Sequence, residues 1–262
     1  MTMNNYNEKE VILNNGVKMP ILGFGVYQIP KEDTKQAVLE ALKVGYRHID
    51  TAQSYFNEAE VGEAISESGI PREEIFLTTI LLHQPFSDYY GAYRALEDAY
   101  KAGKARAIGV SNFYPDRLSD IVAFTEIKPQ VNQVETHPFN QQIEAQENMI
   151  KNNVQLESWA SFAEGRNNIF TNPVLMDIAK KYNRSTAQVM IRWQVQRGIV
   201  CLTKSVKPER MAENFDVMNF ELSADDMARI QSLDTKTSLF FSHQDPATVD
   251  FFINLVKERR NK

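Results

Sequence analysis

Short apolar runs with strand character alternate along this chain with longer stretches of helical period. Val11-Ile12-Leu13 and Val17-Lys18-Met19 flank Asn14-Asn15-Gly16, which predicts a β-hairpin with Asn15-Gly16 in a type I′ turn. Ile21 to Val26 reads as a strand. Thr34 to Val44 then places Ala37, Val38, Ala41 and Leu42 on one helical face before Gly45 stops it. Tyr46 to Asp50 is a further strand, and Glu58 to Ser68 a further helix. The rhythm continues with helices over 89–101, 115–124, 142–152, 173–182 and 186–198, one starting near Pro208, and a last one over 224–233. Strands are expected at 105–110, 130–135, 154–159 and 199–204, with one more starting at Phe76. Alternation of this kind predicts one parallel sheet wrapped by helices and closed as a barrel. No repeat, low-complexity segment or boundary interrupts it, so residues 1–262 are expected to form a single domain. The strands number seven, one short of a (β/α)8 barrel.

Composition narrows the function classes. The net charge of −5 argues against a general nucleic-acid binder. No apolar run reaches membrane-spanning length, and the polar start, Met1 to Glu10, does not read as a signal peptide. The single cysteine, Cys201, sits in an apolar run and reads as a buried thiol, in keeping with a reducing cytoplasm. His48 lies in a strand, and His137 and His243 fall in expected loops without metal-ligand spacing, so no metal site is expected.

The chemistry-bearing residues cluster at strand ends. Asp50-Thr51-Ala52-Gln53-Ser54-Tyr55 ends one strand, and Phe76-Leu77-Thr78-Thr79-Ile80 runs directly into Leu81-Leu82-His83-Gln84-Pro85. Farther along stand Gly109-Val110-Ser111-Asn112, then Gln133, and then Trp159 within Leu156-Glu157-Ser158-Trp159. Lys204-Ser205-Val206-Lys207-Pro208-Glu209-Arg210 gathers cations and a hydroxyl where a strand gives way to a helix, which suits an anionic phosphate. Glu213 and Asn214 follow. Lys101 and Lys104 are expected at the opposite end of the barrel from Tyr55.

Together these motifs resemble the aldo-keto reductase family over nearly the whole chain, and within it the small bacterial-type 2,5-diketogluconate and methylglyoxal reductases. The resemblance implies a TIM-type (β/α)8 barrel with an N-terminal hairpin, and an oxidoreductase that reduces small aldehydes, ketones or keto-sugars with NADPH. It assigns Tyr55 as general acid, Asp50 as its charged neighbour (also near the cofactor), and His83 as the group that orients the substrate carbonyl. Ser111, Asn112 and Gln133 are implied to hold the nicotinamide carboxamide, with Trp159 stacked on the ring. Lys204, Ser205 and Arg210 are implied for the 2′-phosphate, and Glu213 and Asn214 for adenine.

Four departures matter. Ile80 stands where the family has the lysine of Thr-Thr-Lys. The run from Ile75 to Pro85 joins the start of one family strand to the end of the next, so about one βα unit is expected to be missing, leaving about seven strands. Ser161 and Thr203 replace prolines and are expected to soften their loops. Without the lysine, Asp50 alone would raise the Tyr55 phenol above its ordinary pKa near 10 and weaken proton delivery. The alternative is a non-catalytic NADPH-binding protein or an inactive barrel remnant. Oligomeric state carries no signal.

Overall fold

A computed structural model describes residues 9–79 and 81–260, with the side chains of Val256, Arg259 and Arg260 excepted. In chain order the elements are β1 (Glu10–Ile12), β2 (Lys18–Pro20), β3 (Leu22–Gly25), α1 (Lys31–Val44), β4 (His48–Asp50), α2 (Glu58–Glu67), β5 (Phe76–Thr78) and β6 (Leu81–Leu82). They continue with α3 (Tyr89–Lys101), β7 (Gly109–Ser111), α4 (Pro115–Phe124), β8 (Val131–Glu135), α5 (Ile143–Asn152) and β9 (Gln155–Trp159). The rest are α6 (Pro173–Tyr182), α7 (Thr186–Gln196), β10 (Val200–Thr203), α8 (Pro208–Phe215), α9 (Ala224–Gln231) and α10 (Pro246–Arg260). Short 3-10 turns cover Gln53–Tyr55 and Arg72–Glu74, and Ala163–Thr171 is an irregular turn segment whose residues 164–168 leave helical geometry.

Eight strands form one sheet in the order β5-β4-β3-β10-β9-β8-β7-β6, every neighbouring pair parallel. The helices lie outside it, and the sheet is a nearly closed (β/α)8-type barrel. The count of seven strands is thereby corrected. What reads in the sequence as one strand at 76–82 is two, because its halves pair with different neighbours. Phe76, Leu77 and Thr78 pair with His48, Ile49 and Asp50, whereas Leu81 and Leu82 pair with Gly109 and Val110. The two edge strands are thus consecutive in the chain, and the expectation of a missing βα unit is not supported. Ile80, which lies between them at the family's lysine position, falls outside the described residues.

The barrel interior is tight where β3, β4 and β10 meet. A Cβ on Gly23 would lie 2.5 Å from a Leu202 methyl and 2.7 Å from His48 Nδ1, so no larger residue fits. Outside, helices pack by the apolar faces that their period predicts: Val38, Ala41 and Leu42 of α1 join Val61 and Ala64 of α2, and Leu118 and Ile121 of α4 join Met149 of α5. Ser185 starts α7 with a capping box to Gln188.

The hairpin covers the N-terminal end of the barrel, where Asn14 Nδ2 donates to Pro129 O and Asn153 O at 2.9 Å each. Its turn differs from the type I′ expectation. Gly16 alone has positive φ, at 82°, and its N–H donates to Leu13 O at 2.9 Å, the three-residue loop in which a type I turn ends on a left-handed glycine. Helix α10 was not expected after α9. Phe251, Phe252 and Ile253 are adjacent in it, so its apolar residues spread around the helix and give no period to read. No helix among the described residues is long and apolar enough to cross a membrane.

Candidate active site

Tyr55, Asp50 and His83 converge at the C-terminal ends of the strands. Asp50 is the last residue of β4 and is buried, while Tyr55 closes the 3-10 turn that follows and is half-buried. The Tyr55 ring meets His83 edge-on at 6.5 Å between centroids and Tyr27 at 4.9 Å. His83 Nδ1 lies 3.0 Å from Leu81 O and donates to it. In the neutral ring Nε2 is then an acceptor, so His83 donates through Nε2 only when doubly protonated.

Asn112 ties this corner together. Its Nδ2 donates to His83 O at 2.9 Å and to Ser111 Oγ at 3.1 Å, and its Oδ1 accepts the Trp159 indole N–H at 2.9 Å. Asn112 does this in a left-handed conformation, at φ 63°. Ser111 Oγ donates to Gln133 O at 2.8 Å. Trp159 is half-buried, with Phe240 edge-on at 5.1 Å and Phe241 nearly parallel at 6.5 Å. The tail carrying these phenylalanines is pinned by buried Glu135, which accepts from Ser238 Oγ and, at 2.9 Å, from the Leu239 N–H. His137 Nε2 donates to the same carboxylate at 2.9 Å. Burial pushes the Glu135 carboxyl up, but the bonds from His137, Ser238 and Leu239 outweigh that and hold it below the usual range.

Sequence reasoning gave no role to Glu157. It occupies the middle of β9, fully buried, and shares a bridge with Asp50: Gln133 Nε2 donates to Asp50 Oδ2 and to Glu157 Oε2, 3.0 Å each. Glu157 Oε1 has no hydrogen-bond partner among the described residues and lies 3.4 Å from His48 Nε2. His48 offers no positive charge in return. Burial lowers its pKa to about 3, and its Nε2 is 3.0 Å from Thr78 Oγ1. Among the described residues, no lysine or arginine forms an ion pair with either carboxyl. Burial raises Asp50 to about 7 despite its bond from Gln133. Glu157 is raised well above the carboxylate range, by burial and then by Asp50. The same surroundings push the Tyr55 phenol up, through burial first and then through Asp50, Tyr27 and Glu157. A signal for Glu157 existed in the sequence: an acidic residue in the middle of a strand, between Leu156 and Ser158, has to find a partner if its face turns inward.

The phosphate-type residues lie at another part of the rim. Lys204 follows β10 and is exposed, and Arg210, in the first turn of α8, is exposed as well. Neither has a carboxylate partner among the described residues. Ser205 Oγ accepts from the Lys207 N–H at 3.0 Å, and Asn214 is buried beside exposed Glu213. Ser161 and Thr203 do not leave loose loops. Ser161 Oγ donates to Leu202 O at 2.6 Å, and Thr203 Oγ1 is 3.0 Å from the Tyr46 hydroxyl, all buried. Hydroxyl bonds replace the constraint that proline would impose.

The sequence model of the Aldo/keto reductase family matches residues 21–88 and 78–235. The chain belongs to that family. It is 41% identical to the glyoxal reductase of Bacillus subtilis (strain 168) over 255 residues, covering 85% of this chain and 92% of that protein. It is 38% identical over 286 residues to the morphine 6-dehydrogenase of Pseudomonas putida, covering 91% and 94%. Among solved structures, an aldo-keto reductase enzyme from a Medee basin deep-sea metagenome library superposes with a TM-score of 0.87 at 40% identity, covering 90% of this chain and 98% of that one. As an aldo/keto reductase the chain is of an oxidoreductase family that acts on small carbonyl compounds.

Proposed function

We propose that this aldo/keto reductase reduces small aldehydes, ketones or keto-sugars to alcohols with NADPH, and that its proton delivery is weak. The observation carrying this reading is the placement of Tyr55 beside His83 at the strand ends, with Asp50, Tyr27 and Glu157, and no described cation, acting on its phenol.

The residues present fit the cofactor. Lys204 and Arg210 are exposed and uncompensated, as a 2′-phosphate site requires, with Ser205 between them in sequence; Glu213 and Asn214 follow for adenine. At the other end, Asn112 Oδ1 keeps a lone pair beyond its bond to Trp159, and Gln133 Oε1 accepts from no described group, so both can take carboxamide N–H bonds next to Ser111. Trp159 supplies the ring face. When bound, the cofactor supplies the hydride; Tyr55 gives its proton to the carbonyl oxygen, with His83 beside it. A positioned general acid contributes about 10²–10⁴-fold, and a phenol held above its ordinary pKa gives up part of that factor.

The reading is tested by following NADPH oxidation with methylglyoxal in the wild type and in Tyr55→Phe. Turnover in the wild type alone supports it, whereas equal rates reject it. A second reading, NADPH binding without turnover, is favoured by the same uncompensated carboxyls. It predicts fluorescence-detected NADPH binding with no oxidation by either protein.

A further inference from the structure

A cavity of about 230 Å³ opens at the seam where β5 and β6 do not pair, running from the N-terminal face of the sheet to Thr78 and Thr79 at the other end of β5. Its two ends differ in chemistry. The outer end carries Arg72, Lys104 and Arg106, all exposed and preceding β5 or β7, so it lies at the N-terminal face of the sheet. Arg72 Nη1 and Arg106 Nη2 both donate to one oxygen, Ile75 O, at 2.7 and 3.3 Å, which draws two guanidiniums together. None of the three cations has a carboxylate within ion-pair distance among the described residues. The nearby Glu74 carboxylate is 4.0 Å from Arg47 instead.

The walls are largely apolar, including Leu77, Leu81, Ile108 and Val131. The inner end reaches Glu157, which is completely buried and whose Oε1 has no hydrogen-bond partner among the described residues. An unbonded carboxyl oxygen in a dry interior costs free energy that a donor entering the cavity would recover.

We propose that this cavity binds a short linear amino carboxylate, with its carboxylate at Arg72, Lys104 and Arg106, its methylene chain along Leu77, Leu81 and Val131, and its ammonium at Glu157. Each part of such a ligand meets a feature otherwise uncompensated: three convergent cations, an apolar passage and an orphaned buried oxygen. A ligand lacking either charged end leaves one of those features unsatisfied. The ammonium would also bring a positive charge to the Glu157–Gln133–Asp50 bridge.

Calorimetric titration of the full chain with 6-aminohexanoate, hexanoate and hexylammonium tests this. The expected result is one-to-one binding of 6-aminohexanoate at least tenfold tighter than either single-ended probe. Glu157→Gln and the surface pair Lys104→Glu with Arg106→Glu should each weaken it at least tenfold. The surface pair should still melt cooperatively, which separates a lost site from a lost fold if Glu157→Gln is unstable. Absence of binding, equal affinity for all three probes, or full affinity in the surface pair would overturn the proposal.

Discussion

The side-chain amide of Gln133 donates to the Asp50 carboxyl at 3.0 Å, and its second N–H does the same for Glu157. One neutral amide therefore stands between two buried acids, a place where a cation would ordinarily be needed. Like carboxyls this close to one donor cannot both be charged cheaply, so protonation of one leaves a single negative charge on the bridge in place of two.

A pH dependence of stability follows. Both carboxyls are raised in the folded state, Asp50 to about 7 from 3.8. The native protein thus binds more protons than the unfolded chain between about pH 4 and 7, and stability falls as pH rises through that window. The limiting slope is about 1.4 kcal/mol per pH unit for one proton. Thermal melts from pH 5 to 8 should show this fall in the wild type and a shallower one in Glu157→Gln, which removes one of the two acids. Parallel profiles would argue against a shared proton.

Lys204 and Arg210 should decide the choice between NADPH and NADH. A charge-assisted bond is worth about 1.5–3 kcal/mol, so Lys204→Ala with Arg210→Ala should weaken NADPH binding by roughly ten- to a hundredfold or more and leave NADH nearly unchanged. Fluorescence titrations with both cofactors measure the ratio. An unchanged ratio would place the 2′-phosphate elsewhere.

Asn112 carries both a bonding and a backbone role. Asn112→Ala loses the bonds to Trp159 Nε1 and His83 O and leaves a non-glycine residue at φ 63°. Asn112→Gly loses the same bonds without that conformational penalty. The alanine variant should be less stable than the glycine variant by about 1–2 kcal/mol in urea melts. Both should lose activity together.

The tail clamp should fail in acid. Glu135 is held below the usual carboxylate range, so its contribution is present above the unfolded pKa and is lost as pH falls through the lower folded value. Ser238→Ala together with Glu135→Gln should expose the segment near residues 238–245 to limited proteolysis at neutral pH. Trp159 fluorescence should change with it, since Phe240 and Phe241 pack on that ring.

Much of this was legible in the sequence for a physical reason: helix period and strand alternation are local. The faces of α1, α2 and α4 lie where Ala37 to Leu42, Val61 to Ile65 and Leu118 to Ile121 put them. The splitting of 76–82 was not legible, because it depends on Phe76 finding His48 while Leu81 finds Gly109, and neither partner is near in sequence. The positions of Tyr55, His83, Ser111, Asn112 and Trp159 at one rim could be read from their strand ends. The turning inward of Gln133 toward Asp50 and Glu157 could not, since it depends on which carboxyls cross the barrel to meet it.

The central claim is that Tyr55 delivers a proton without an adjacent cation. Single-turnover oxidation of bound NADPH by methylglyoxal tests it most directly. The account predicts a measurable rate in the wild type and one at least tenfold lower in Tyr55→Phe. A Tyr55→Phe rate equal to that of the wild type would contradict it.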